Sequence, residues 1–136
     1  MAIREMTISD YGQMAALWRA TPGVRLVTAD SEECIAAFLA RNPGMSHVWD
    51  DRGAVVGTCM CGHDGRRGYI YHVAVKQEYR GRGIGTALVE AAITGLHRDG
   101  IDKCHVFVLA DNELGNAFWS RDWTKRMDIT LYSKDV

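Results

Sequence analysis

The sequence predicts a mixed α/β fold: a mostly antiparallel central sheet with helices on both faces. Three observations predict it. Strand and helix patterns follow one another along 136 residues in the order β-α-α-β-β-β-α-β-α-β. The strands in the middle of the chain are joined by short turns, as antiparallel hairpins are. One later pair is joined through a helix instead, which makes those two strands parallel and adjacent.

Each element has a local cause. Ile3 to Met6 reads as a short first strand. Ser9 and Asp10 are good N-caps for a helix running to about Arg19, with Met14, Leu17 and Trp18 on its apolar face. Thr21-Pro22-Gly23 stops it. Asp30-Ser31-Glu32-Glu33 supplies the cap and acidic first turn of a second helix, whose stripe is Ile35, Phe38 and Leu39 and whose end is Asn42-Pro43-Gly44. Ser46 to Asp50 is a strand, Asp51-Arg52-Gly53 a turn, and Ala54 to about Gly62 a second strand. His63 to Gly68 is a hairpin loop, followed by the strand Tyr69–Val75. A helical pattern runs from Ala87 to Asp99 and stops at Gly100. Lys103 to Leu109 reads as a buried strand, Asn112 to Ser120 as a short helix, and Met127 to Tyr132 as a closing, alternating strand.

Length and composition narrow the function. The chain fits one domain, residues 1–136, with enough residues to bury a core without disulfides or metals. A net charge of −1 supplies no field for nucleic acid, so no nucleic-acid partner is expected. No run of 18 apolar residues spans a membrane, and the N-terminus lacks the apolar stretch of a signal peptide, so a cytoplasmic protein is expected. The four cysteines are then reduced thiols, with Cys34 and Cys104 read as small core residues. Cys59, Cys61 and His63 alternate like metal ligands. On an extended strand, however, Cys59 and His63 lie ~13 Å apart, too far for one zinc ion whose ligands sit at ~2–2.3 Å. No metal is expected.

Arg80-Gly81-Arg82-Gly83-Ile84-Gly85-Thr86 carries the strongest functional signal. A glycine-rich turn between a strand and a helix places unpaired N–H groups at the positive end of the helix dipole, where phosphate is the usual guest. The glycines admit an anion without a Cβ in the way. Three phosphate motifs compete. A P-loop ends in Gly-Lys-Ser/Thr, which does not occur. A dinucleotide fingerprint needs glycine at its sixth position, yet that position is Thr86 counted from Gly81 and Leu88 counted from Gly83.

The third fits. Arg80-x-x-Gly83-x-Gly85 after Val73-Ala74-Val75 resembles the acetyl-CoA motif of the GCN5-related N-acetyltransferase (GNAT) superfamily. Asn112-Glu-Leu-Gly-Asn-Ala-Phe118-Trp119 resembles that family's Asn-x-x-Ala-x-x-Phe-Tyr segment, and the element order is similar throughout. The resemblance implies the acyl-CoA N-acyltransferase fold and transfer of an acetyl group from acetyl-CoA to an amine. It implies that the N–H groups from Arg82 to Thr86 hold the pyrophosphate of coenzyme A. The backbone of Val73 and Val75 would pair with the pantetheine arm, with Asn112 and Trp119 lining it from the other side. Asn112 also reads as a plain helix cap.

An alkyl amine with pKa about 10.4 is neutral less than ~0.1% of the time at pH 7, so a base or a water relay should remove its proton. The candidates lie on the strand Tyr69–Val75: Tyr71, on the face where related enzymes carry a base, and His72, whose type titrates near neutrality. In a regular strand Tyr69, Tyr71, Val73 and Val75 share one face and His72 and Ala74 the other, an alternation that a bulge would alter. A cysteine nucleophile is not expected. Many family members have Tyr where this chain has Trp119, to protonate the leaving thiolate. An indole cannot do so, but a thiol of pKa ~8.5 departs without help. A second departure is Asp122-Trp123, where the family often has Gly-Phe.

The acceptor is a small-molecule or peptide amine. Asp30, Glu32, Glu33 and Asp64 argue for a cationic one, whereas Arg66 and Arg67 argue for an anionic one. The resemblance is compatible with a homodimer, since family members often pair through sheet edges or C-terminal strands. A non-catalytic acyl-CoA sensor and a dinucleotide oxidoreductase are the rival functions.

Overall fold

The computed structural model describes residues 2–136. Its strands are β1 Ala2–Glu5, β2 His47–Asp51, β3 Ala54–His63, β4 Gly68–Val75 and β5 Cys104–Val106. They form one sheet in chain order. The first three pairings are antiparallel and β4–β5 is parallel, as the hairpin turns and the helical crossover predict. The helices are α1 Tyr11–Ala20, α2 Glu32–Arg41, α3 Ile84–Arg98 and α4 Glu113–Trp119.

The sheet separates two cores. On one face Met14 and Trp18 of α1 and Ile35 of α2 meet Val48, Val55, Met60 and Ala74. On the other, Leu88, Ala92 and Leu96 of α3 meet Cys59, Cys61 and Ile70. Trp18, Ile35 and Leu88 are each 0% exposed, and burial of such a side chain stabilises by about 1.5–3 kcal/mol. Local signals behave as read: Ser31 Oγ accepts Cys34 N at 3.2 Å to cap α2. Gly100 lies at φ +81° just beyond the end of α3.

Four expectations are corrected. The segment Met127–Tyr132 forms no strand, and Met127, Ile129 and Leu131 stand exposed. Alternation marks a strand only when a neighbour covers its apolar side, and none of the described residues covers this one. β5 ends at Val106 instead of Leu109, since only its first three residues stay in register with β4. Helix α3 begins at Ile84, three residues before Ala87, because Gly83 supplies a left-handed N-cap and Ile84 is buried in the core. Cys34 lies on the exposed side of α2 rather than in the core. The α2 stripe runs through Ile35 and the partly buried Phe38 and Leu39 instead.

Candidate active site

β4 and β5 pair only from Gly68–Ile70 to Cys104–Val106. Beyond that they part, and a cavity of about 560 Å³ opens between Tyr71–Val75 and Val106–Leu109. The cause lies in β4. Thr58 faces Ala74 and Met60 faces Tyr71, so His72 and Val73 together oppose one residue, Cys59. This is a β-bulge, and His72 takes φ +50° within it. Thr58 Oγ1 donates to the His72 carbonyl at 2.8 Å and holds the kink.

The bulge corrects the expected alternation. Tyr71 packs edge-on against Phe38 of α2, and His72 packs against Trp18 of α1 with ring centroids 4.7 Å apart and the planes tilted by 48°. Both candidate bases therefore share the α1/α2 face with Ala74, while Val73 and Val75 pack toward α3.

The glycine turn closes one end of the cavity. Gly81 and Gly83 have φ +78° and +80°, and a Cβ on either would meet nothing within 4 Å. Glycine is needed there for its conformation, not for lack of space. Among the described residues no protein acceptor bonds the N–H groups of Ile84, Gly85 or Thr86, so the first turn of α3 offers them, with its dipole, to an anion. Gly85 also admits the Phe118 ring, to which its Cβ would approach 3.2 Å.

Val73, Val75, Arg80, Gly81, Gly83, Ile84, Gly85 and Thr86 all line the cavity, as do Tyr71 and His72. Two expected coenzyme residues do not. Ala74 is 3% exposed and faces α1 across the bulge. Arg82 lies over the Tyr79 ring, 5.1 Å from its centroid, and donates to the Glu78 carbonyl at 3.1 Å, off the cavity wall. Arg80 stays on the wall, with Nε donating to the Val75 carbonyl at 2.9 Å.

Asn112 is a helix cap that also borders the cavity. Its Oδ1 accepts Gly115 N at 2.9 Å to cap α4, and its side chain lines the cavity. A Cβ on Gly23 would collide with its amide, so the loop Thr21–Arg25 sits directly on the cap. Trp119 also lines the cavity and is wedged between Phe118 and Trp123, with ring centroids at 5.0 and 4.7 Å.

The acidic residues proposed to attract a cationic acceptor are engaged or elsewhere. Asp64 accepts Arg66 N and Arg67 N, both at 2.8 Å, inside the hairpin loop. Glu32 and Glu33 lie in the first turn of α2, away from the cavity lining. Asp30 Oδ1 lies 2.7 Å from His72 Nε2, with the two side chains 10% and 15% exposed. Arg67 is drawn to Asp102 at 3.6 Å. Among the described residues, no carboxylate lines the cavity, whereas Arg25, Arg80 and Arg121 do. The Asp30–His72 pair was hidden in the sequence because Asp30 sits in an ordinary helix-start pattern.

Burial pushes the Tyr71 phenol above its usual range, with the neighbouring Tyr69 adding to the effect, so Tyr71 is a poor base at neutral pH. Burial likewise pushes the Cys59 thiol far up, consistent with packing rather than nucleophilic use. His63, read beside Cys59 and Cys61 as a ligand alternation, instead turns to Asp99 at 3.0 Å.

Known proteins share this fold. A Thermoplasma acidophilum PaiA N-acetyltransferase solved with coenzyme A superposes with a TM-score of 0.79, covering 95% of this chain and 92% of that one at 18% identity. An aminoglycoside acetyltransferase from a soil metagenome, solved with sisomicin, gives a TM-score of 0.78 over 99% and 95% at 18% identity. An acetyltransferase of Photorhabdus laumondii is 36% identical over 117 residues, covering 83% of this chain and 78% of that protein. One of Sodalis glossinidius is 34% identical over 113 residues, covering 83% and 79%. With the match of residues 11–123 to the acetyltransferase (GNAT) family added to that likeness, the chain belongs to this family.

Proposed function

We propose that the protein is an acetyl-CoA-dependent N-acetyltransferase whose coenzyme lies in the cleft between the diverging ends of β4 and β5. The observation that carries the reading is that this cleft ends on the unbonded N–H groups of Ile84, Gly85 and Thr86. A pyrophosphate there is stabilised by the helix dipole, with Arg80 beside it. The acyl arm then extends along Val73 and Val75 toward His72, with Asn112 and Trp119 opposite.

His72 takes the proton of the acceptor ammonium or amine, directly or through one water. The amine nitrogen forms a bond to the thioester carbon. A backbone N–H on the free edge of β4 stabilises the oxyanion. The carbonyl reforms as the C–S bond breaks, and coenzyme A leaves as thiolate, protonated by solvent. Tyr71 forms a wall of the acceptor site. The acceptor is an amine with one positive charge, since arginines and no carboxylate line the cavity.

A thermal-shift comparison of acetyl-CoA, coenzyme A, NAD and NADP tests the coenzyme. Ligand at ~100 times its Kd adds ~2.7 kcal/mol. Stabilisation by the CoA species alone is the expected result, and a shift with a dinucleotide alone overturns the reading. Thiol release with 2-phenylethylamine, spermidine and an alanyl peptide then tests transfer. CoA binding with no release from a broad amine panel would mark a sensor instead.

A further inference from the structure

We infer that Asp30 is the positioning residue for His72: it holds the imidazole proton on Nε2 and leaves Nδ1 to collect the proton of the acceptor. This rests on the proposed role of His72.

The carboxylate is fixed before it meets the ring. Its Oδ2 accepts Val27 N at 2.9 Å, and the Asp30 carbonyl accepts the Tyr11 hydroxyl at 2.7 Å. The remaining oxygen, Oδ1, lies 2.7 Å from His72 Nε2. An ionised carboxylate only accepts, so Nε2 must carry hydrogen, and in the neutral ring the lone pair is then on Nδ1. Among the described residues no protein group bonds Nδ1, and it is not one of the buried side-chain atoms left without a partner, so it reaches solvent.

The residue that carries the ring is held at three points. Trp18 packs against the ring at a 48° tilt, Thr58 ties down the residue's carbonyl, and the bulge holds its backbone at φ +50°. Asp30 comes from 42 residues earlier in the chain, in the connection between α1 and α2. That connection also contributes Thr21–Arg25 to the cavity wall, so one segment both shapes the cleft and orients the base.

The test compares wild type, Asp30→Asn and Asp30→Ala, with His72→Gln to assign the ring signals. Long-range ¹H–¹⁵N spectra of the CoA-bound protein should show the Nε2–H tautomer in wild type. Asp30→Asn should keep it in part, because its amide oxygen still accepts, and Asp30→Ala should lose it. With whichever panel amine turns over, kcat should fall about 10- to 100-fold in Asp30→Ala, with the KM for acetyl-CoA unchanged and partial rescue in Asp30→Asn. An Nδ1–H tautomer in wild type, or an unchanged tautomer in Asp30→Ala, overturns the inference. An unchanged kcat with the tautomer altered does so too. If Asp30→Ala does not fold, an Asp30→Asn variant with both wild-type tautomer population and wild-type kcat overturns it. Absence of CoA binding in wild type defeats the proposed function separately, since the tautomer is also readable in the free protein.

Discussion

Trp18 donates its indole N–H to Thr58 Oγ1 at 2.9 Å, and both residues are 0% exposed. The same hydroxyl donates to the His72 carbonyl. One buried oxygen therefore ties helix α1, strand β3 and the β4 bulge together. Thr58→Val keeps the shape but leaves an indole N–H unpartnered. We expect a loss of about 1–3 kcal/mol, read as a lower urea midpoint. An unchanged midpoint would mean that neither bond contributes.

A second tie lies near the start of the chain. Asp10 accepts Arg4 at 2.9 and 2.8 Å and Thr7 N at 3.0 Å. These partners, Arg4 foremost, hold its carboxyl below the usual range against the opposing effect of burial. A carboxyl depressed on folding contributes stability above its unfolded pKa, ~3.9, and loses it as pH falls through the lower folded value. The difference in Tm between wild type and Asp10→Asn should be full at neutral pH and shrink from about pH 4 downward. A constant difference would assign the effect to packing alone.

Two glycines should respond oppositely to alanine. Gly83 lies at φ +80°, where a Cβ costs roughly 1–2 kcal/mol, and relief of that strain would move the N–H groups of the proposed anion site. Gly83→Ala should therefore lower Tm and weaken CoA binding together. Gly12 lies inside α1 with nothing within 4 Å of its Cβ position. Gly12→Ala should raise stability by about 0.5–1 kcal/mol and leave CoA binding alone. Calorimetric titration of both variants decides the matter; equal CoA affinities would remove Gly83 from the coenzyme site.

Trp119 is expected to act as a wall, not an acid. Trp119→Phe should leave kcat close to wild type, and Trp119→Ala should raise the KM for acetyl-CoA. A large fall in kcat at constant KM in Trp119→Phe would give the indole a role in the chemical step.

The cavity charge bears on the acceptor. With Arg25 and Arg121 on the wall and no carboxylate among its lining residues, 2-phenylethylamine should exceed spermidine in kcat/KM, because a second ammonium would meet like charge. Faster turnover of spermidine would show that an acidic group outside the cavity recruits the acceptor.

Much of this was legible because it is local. Apolar periodicity marks α1 and α2, and a continuous apolar run between turns marks β3, without reference to anything distant. The glycine turn is equally local, since Gly81 and Gly83 must supply positive φ and an exposed helix start wherever the rest of the chain lies. The parallel pairing of β4 with β5 follows from chain connectivity alone.

What only the tertiary structure decided depends on register and on distant partners. The bulge at His72 arises from how β4 sits on β3, and it moves His72 to the same face as Tyr71. Asp30 reads as a helix-start residue until the fold brings it against a histidine 42 positions away. Arg82 and Arg80 look equivalent in the motif, yet the Tyr79 ring draws one of them off the wall. The alternation at Met127–Tyr132 is as regular as that of a true strand, but a strand needs hydrogen-bond partners outside itself, and no segment of sequence carries those alone.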